Sequence, residues 1–175
     1  NCLVVSEMCI RDSPKDYPEG ALMPLLTLAQ KQSQGWLPKK AIEYIASFLK
    51  VSEIKVLEIA TFYSMYNLSP VGKNHIEVCT TTPCMLRGSD NILKVCEKFL
   101  NINSGGVTND RRFSLTEVEC LGACVNAPVI KIDQDYFEDL DSKSTLNLLN
   151  GLAENKTLKK GSQIMRKGTE PIRRK

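Results

Sequence analysis

Apolar positions along the chain follow two different periods. From Leu22 to Tyr63 the period is helical. Leu22, Leu25, Leu26 and Ala29 stand at i, i+3, i+4 and i+7, one stripe of an amphipathic helix. Pro24 falls where a first helical turn tolerates it, and Gly35 is a stop signal. Ile42, Ile45, Ala46 and Leu49 repeat the stripe after Pro38, which suits a helix start. Ser52 is a capping residue for a third helix with Val56, Ile59, Ala60 and Tyr63 on one face. The short connections predict a small helical bundle over residues 17–70. Trp36, Phe62 and Tyr63 read most simply as core or interface packing.

After Ser69-Pro70 the period changes. His75-Ile76-Glu77-Val78 alternates as a strand that ends at Cys79. Ser89 can cap a helix with Ile92, Val95, Cys96 and Phe99 on one face, so Cys96 reads as a small core residue. Asn103-Ser104-Gly105-Gly106 is a loop. Phe113 to Glu119 has strand character and leads to Cys120. Val129 to Ile132 and Tyr136-Phe137 read as a hairpin about Asp133-Gln134-Asp135. Leu146, Leu149 and Ala153 mark a last helix capped by Ser142 or Ser144. The order β-α-β-β-β-α predicts an α/β domain over residues 74–153.

Composition narrows the class. At 175 residues and 42% hydrophobic content the chain can form one ordinary domain with an appendage. No apolar run approaches the ~20 residues of a membrane span, so no direct membrane insertion is expected. The net charge of +3 is uneven, because eight Lys/Arg against one Glu lie between Lys156 and Lys175. That +7 leaves −4 for the rest, and no nucleic-acid surface is read into the domain. Residues 154–175 read as a basic extended tail, solvated because no apolar stripe runs through it. Asn1 to Ser13 reads as a translated adapter scar rather than part of the fold, taking Cys2, Cys9 and any targeting signal out of the analysis.

Seven cysteines are an odd number, which argues against a closed disulfide framework. Four of them form a pattern. Cys79-Thr-Thr-Thr-Pro-Cys84 is C-x4-C, and Cys120-Leu-Gly-Ala-Cys124 is C-x3-C, with 35 residues between the pairs. Thiols in two turn-forming loops suit a metal centre. Spacing leaves three readings: a [2Fe–2S] cluster with one pair per iron, a structural zinc, and unliganded or disulfide-forming pairs. The wider loops favour the cluster.

The neighbouring residues add to the spacing. Cys79-Thr-Thr-Thr-Pro-Cys84-Met-Leu-Arg-Gly-Ser and Val118-Glu-Cys120-Leu-Gly-Ala-Cys124-Val-Asn-Ala-Pro128 closely resemble the signature of the thioredoxin-like [2Fe–2S] subunits of NADH:quinone oxidoreductase. In mitochondria these are the smaller flavoprotein-fraction subunit, and bacteria have an equivalent. Gly35-Trp36-Leu37-Pro38, Ala60-Thr-Phe-Tyr-Ser-Met65 and Pro70-Val-Gly-Lys73 extend the resemblance from about Tyr17 to about Asp141. It implies a helical bundle followed by a thioredoxin-like [2Fe–2S] ferredoxin domain, with one cluster on Cys79, Cys84, Cys120 and Cys124. It implies a flavin- and NADH-binding partner subunit, with other peripheral-arm subunits. The expected location is peripheral, on the cytoplasmic face of a bacterial inner membrane or the matrix side in mitochondria. Gly161-Ser-Gln163 and Gly168-Thr-Glu-Pro171 resemble a family extension that lies along a partner. The equivalent subunit of an NAD-linked hydrogenase or formate dehydrogenase is the alternative within the family. A zinc-stabilised interaction module is the alternative outside it.

Other chemistry has little support. His75, the one histidine, reads as a strand surface residue. No G-x-G-x-x-G or Walker-type loop is present, so neither NADH nor flavin is expected to bind this chain alone. Backbone N–H groups from Thr80 to Arg87 and from Leu121 to Val125 are candidates to face the sulfurs, with Gly88 and Gly122 allowing close approach. Pro83 and Pro128 stiffen the two loops.

Overall fold

A computed structural model describes residues 17–166. The chain divides into two compact units, Asn1–Val71 and Gly72–Lys175. The expected scar at residues 1–13 lies outside the described residues.

The first unit is helical. A 3-10 turn at Pro18–Ala21 leads into α1 (Leu22–Gln32), followed by α2 (Lys39–Leu49) and α3 (Glu53–Phe62). The stripes read from the sequence meet in one core, with Leu22, Leu25, Leu26, Ile42, Ile45, Ala46, Leu49, Val56 and Ala60 buried together. Local chemistry sets the ends. Gln34 and Gly35 take positive φ after α1, and the Gly35 N–H donates to the Gln30 carbonyl at 2.9 Å. The Ser52 hydroxyl accepts from the Lys55 N–H at 3.4 Å, as a cap should. Of the core and interface readings of the aromatics, the core reading fails for Phe62 and Tyr63. Phe62 is 78% exposed and Tyr63 is 39% exposed. The buried aromatic is Tyr66, whose hydroxyl donates to the Met23 carbonyl at 2.9 Å. A phenol with its polar end satisfied can join an apolar core, and burial raises its pKa.

The second unit is a five-stranded sheet with helices. In chain order it has β1 (Asn74–Cys79), α4 (Thr82–Leu86), α5 (Ser89–Leu100), β2 (Phe113–Val118), a 3-10 turn (Cys124–Asn126), β3 (Ile130–Ile132), β4 (Asp135–Glu138), α6 (Ser142–Ala153) and β5 (Gly161–Ser162). The sheet order is β2-β1-β3-β4-β5. β1 and β2 are parallel, β3 is antiparallel to both β1 and β4, and β5 is parallel to β4. One sheet face packs Ile76, Val78, Leu115, Ile130 and Phe137 against Ile92, Cys96, Leu100, Leu148, Leu149 and Leu152 of α5 and α6. Cys96 is thus the core residue that its helical face predicts.

Four local expectations differ from the structure. Ser89 does not cap α5: it is the first helical residue and fully buried, and the cap position belongs to Gly88 at φ +95°. The cap of α6 is Asp141 rather than a serine. Its carboxylate accepts from the Ser144 N–H while the Ser144 hydroxyl accepts from the Asp141 N–H, a reciprocal capping box. His75 is buried rather than a surface residue, with Nδ1 2.7 Å from the Ser114 hydroxyl. Finally, the tail expected to be solvated from Lys156 re-enters the fold. Leu158 packs on the core of α5 and α6, and Gly161–Ser162 pair with Phe137–Glu138. No apolar period announces this because two backbone pairings and one leucine hold it.

Candidate metal centre

Strand register brings the two cysteine loops together. Cys79 is the last residue of β1 and lies opposite Val118, the last residue of the parallel β2. Cys120 follows two residues later. The second loop must then return to Ile130, which pairs with Val78 near the same end of β1. Both loops are therefore confined to one end of the sheet, beyond the carboxyl ends of β1 and β2, where open α/β sheets commonly hold ligands.

Each pair has its own environment. Cys79 and Cys84 are buried, packed with Ala127 and Val129 and flanked by Leu121, Ala123 and Tyr136. Cys84 is carried on α4, a single turn that starts with Thr82-Pro83. Cys120 and Cys124 are exposed, and Cys124 opens the 3-10 turn. Their sulfurs lie 3.3 Å apart, far beyond the ~2.05 Å of a disulfide. Electrostatic contacts link the pairs: Cys84 feels Cys124, and Cys120 feels Cys79 and receives a hydrogen bond from Thr81.

Within each pair one thiol is favoured to ionise. Burial works to raise Cys79, but hydrogen bonds from the Thr81 hydroxyl, the Leu121 and Thr81 backbone and the Cys84 thiol together bring it below the ordinary thiol pKa. Burial, and then the bond it gives to Cys79, push Cys84 up to about 12. The Gly122 N–H, donating to Cys120 Sγ at 3.4 Å, and the Cys124 thiol hold Cys120 down. Donating that bond raises Cys124. Thiolates rather than thiols bind metal, so metal binding at these cysteines would release protons.

The two cysteine pairs thus lie on two loops at the same end of the sheet. The expected backbone donors are present at Thr81, Leu121 and Gly122. The Thr81 side chain, 3.3 Å from Cys79 Sγ, is a contributor that the cysteine spacing does not point to. Its position within the first loop is the one signal for it. A Cβ at Gly122 would meet nothing within 4 Å, and one at Gly88 would meet only Asn91 Nδ2 at 3.8 Å. Both glycines also answer a positive φ, +79° and +95°.

This geometry fits a two-iron group. Two thiol pairs with N–H and O–H donors aimed at sulfur match the ligands and outer hydrogen bonds of an iron–sulfur site.

A mixed sheet that carries two cysteine pairs at one end defines a class that comparison with known proteins makes specific. The sequence model of the thioredoxin-like [2Fe-2S] ferredoxin family matches residues 7–153. The chain belongs to that family, and its cofactor is a [2Fe–2S] cluster. The match begins inside the segment that the sequence pattern sets apart as a scar. The E subunit of the NADH-quinone oxidoreductase of Rickettsia bellii is 56% identical over 79% of this chain and 83% of that protein. The mitochondrial NADH dehydrogenase [ubiquinone] flavoprotein 2 of Dictyostelium discoideum is 48% identical over 96% of this chain and 68% of that protein. Among solved structures, an NAD+-reducing [NiFe]-hydrogenase in the H2-reduced state superposes with a TM-score of 0.64 at 19% identity. It covers 75% of this chain and only 23% of the hydrogenase chain. That last likeness is one of fold.

Proposed function

We propose that this chain is the [2Fe–2S] electron-transfer subunit of an NADH:quinone oxidoreductase, with Cys79, Cys84, Cys120 and Cys124 as ligands. The observation that carries the reading is the 56% identity to the Rickettsia bellii protein over most of both chains. The two facing thiol pairs supply the chemistry that such a subunit needs. When bound, a [2Fe–2S] cluster takes up and returns one electron at a time.

The chain's own residues shape that site. Cys79 and Cys84 hold the inner side in an apolar pocket, where charge is felt strongly. Cys120 and Cys124 form the outer side, open to an approaching redox partner. The Gly122 N–H and Thr81 hydroxyl stabilise negative charge on sulfur and so bear on the potential. Leu86 and Val125, next to the two loops in sequence, are 77% and 58% exposed. On α3, Ile54 is 79% exposed. Apolar side chains left in water support a subunit that works against other proteins. The partner is the flavin- and NADH-binding subunit, with other peripheral-arm subunits beyond it. No described helix is long and apolar enough to cross a membrane. We place the protein in the peripheral arm, on the cytoplasmic face in bacteria or the matrix side in mitochondria.

Anaerobic purification followed by an absorption spectrum tests the cofactor. A brown chromophore with iron and sulfide is expected, and a colourless zinc protein would overturn the reading. Co-expression with the flavin-bearing subunit tests the partner, with a stable pair expected.

A further inference from the structure

The C-terminal extension reaches the second cysteine loop through a buried ion pair. Cys124-Val125-Asn126 form the 3-10 turn that carries the last thiol. The exit of that turn is bonded to the segment after β4. The Asp139 N–H donates to the Asn126 carbonyl at 2.7 Å, and the Leu140 N–H donates to the Pro128 carbonyl at 3.3 Å. The Asn126 side-chain amide donates to Glu138 Oε2 at 2.6 Å. Residues 138–140 thus back the turn.

The other side of that segment is held by the extension. Asp139 has φ +53°, in the left-handed region that aspartate adopts more readily than most residues with a Cβ. Arg166 Nη2 donates to Asp139 Oδ1 at 2.8 Å and Nε donates to Oδ2 at 3.3 Å, a two-pronged fork. The Ser162 hydroxyl donates to Oδ2 at 2.7 Å and accepts from the Arg166 N–H at 3.1 Å. The Gln163 N–H donates to the Glu138 carbonyl at 3.0 Å. The ion-paired side chains are 9% and 2% exposed, unlike the Lys160–Asp135 pair of the same extension, at 68% and 40%.

We infer that Arg166 and Ser162 are positioning residues for the cluster. By clamping Asp139 they fix residues 138–140, and through Asn126 they fix the turn that presents Cys124. The inference rests on Cys124 being a ligand, as proposed above. A merely structural tail would add stability without touching the metal site. A positioning clamp must also alter the loop itself. Outer-shell partners of metal ligands typically change metal retention by about 10–100-fold when removed.

The test compares Arg166→Ala, Arg166→Lys and Asp135→Asn in the full chain, well below their melting temperatures. Iron release to a chelator should be about tenfold faster in Arg166→Ala, with a shifted or broadened EPR spectrum of the reduced protein. Arg166→Lys should recover part of both, keeping the charge but not the fork. Asp135→Asn, which loosens only the exposed pair, should match the wild type. In apo protein, amide exchange at Asp139 and Ala127 should quicken in Arg166→Ala. Wild-type iron release, EPR and exchange in Arg166→Ala would overturn the inference. Equal changes in Asp135→Asn would do so too, since any loosening of the tail would then suffice. If the wild type binds no iron, the cluster reading fails by itself, and unchanged apo-protein exchange would still reject the clamp.

Discussion

The buried polar groups on β1 show what one side chain contributes. His75 lies on the sheet face opposite the apolar core, with Ser114 on β2, Glu77 on its own strand and Lys131 on β3. The Ser114 hydroxyl accepts from the Gly72 N–H at 3.0 Å and pairs with His75 Nδ1 at 2.7 Å. Burial, the largest influence, lowers the His75 pKa; Lys131 adds to this, while Glu77 and Asp133 oppose it. A histidine depressed in the folded state binds its proton better when unfolded. Its stabilising contribution is therefore complete above the ordinary value of about 6.5 and is lost as pH falls through the lower folded value. Asp133, raised chiefly by burial, acts with the opposite sign, and does so nearer the carboxylate range. Chemical denaturation of the apo protein between pH 7.5 and 5 should show stability falling below about 6.5. His75→Gln should flatten that decline, and an unchanged slope would refute the assignment. Gly72 gives a second residue-level expectation. A Cβ there would meet the Phe113 carbonyl carbon at 2.3 Å and the Ser114 nitrogen at 2.6 Å. Backbone cannot step aside as a side chain can, so Gly72→Ala should cost about 1–3 kcal/mol in a denaturant titration. At the metal site, any one of Cys79, Cys84, Cys120 or Cys124 replaced by Ser should lose or perturb the chromophore. Cys96→Ala should keep it and cost on the order of 1 kcal/mol of packing.

Elements differ in how much of them can be read from sequence. The helices of the first unit and α5 are set by stripes of apolar residues, a local signal with many members, and they appear where expected. β1, β2 and the hairpin also follow from alternation, and the parallel register of β1 with β2 explains why two distant cysteine loops converge. The caps are less legible because single residues decide them: Ser89 is drawn into the core, and Asp141 takes the role expected of a serine. Asp141→Ala should remove both halves of the capping box and cost about 1 kcal/mol. In a thermal melt that is roughly 2–4 °C for a chain of this size, whereas Ser142→Ala should change little. An Asp141→Ala protein melting like the wild type would show that packing of Leu148, Leu149 and Leu152 alone sets α6. β5 is not legible at all. Two residues give no period, and the Arg166–Asp139 contact joins positions 27 apart, a partnership that only the folded backbone defines.

At the scale of the whole chain, independence of the two units follows from where their cores close. The apolar cluster of the first unit runs from Ala21 to Tyr66, and the clusters of the second lie wholly between Ile76 and Leu158. All four thiols of the two loops and every described strand belong to Gly72–Lys175. That unit has 104 residues, enough for a self-sufficient core, whereas the helical unit has 71, of which the 55 from residue 17 to 71 are described, and is marginal by itself. A chain of residues 72–175 should therefore fold cooperatively and carry the chromophore, and the isolated helical unit should be only weakly stable. Removing residues after Asn155 from the same fragment should behave differently from the trimming of a solvated end. It deletes Leu158, β5 and the partners of Asp139, and leaves a buried carboxylate without its arginine. Breaking such a pair typically costs about 3–5 kcal/mol, a large share of the roughly 5–15 kcal/mol that domains usually have. The shortened fragment should melt well below the longer one and retain iron poorly. Equal melting and equal iron content in the two fragments would return the extension to the status of a tail. An iron-free or unfolded 72–175 fragment would instead show that the cysteine unit depends on the helices that precede it.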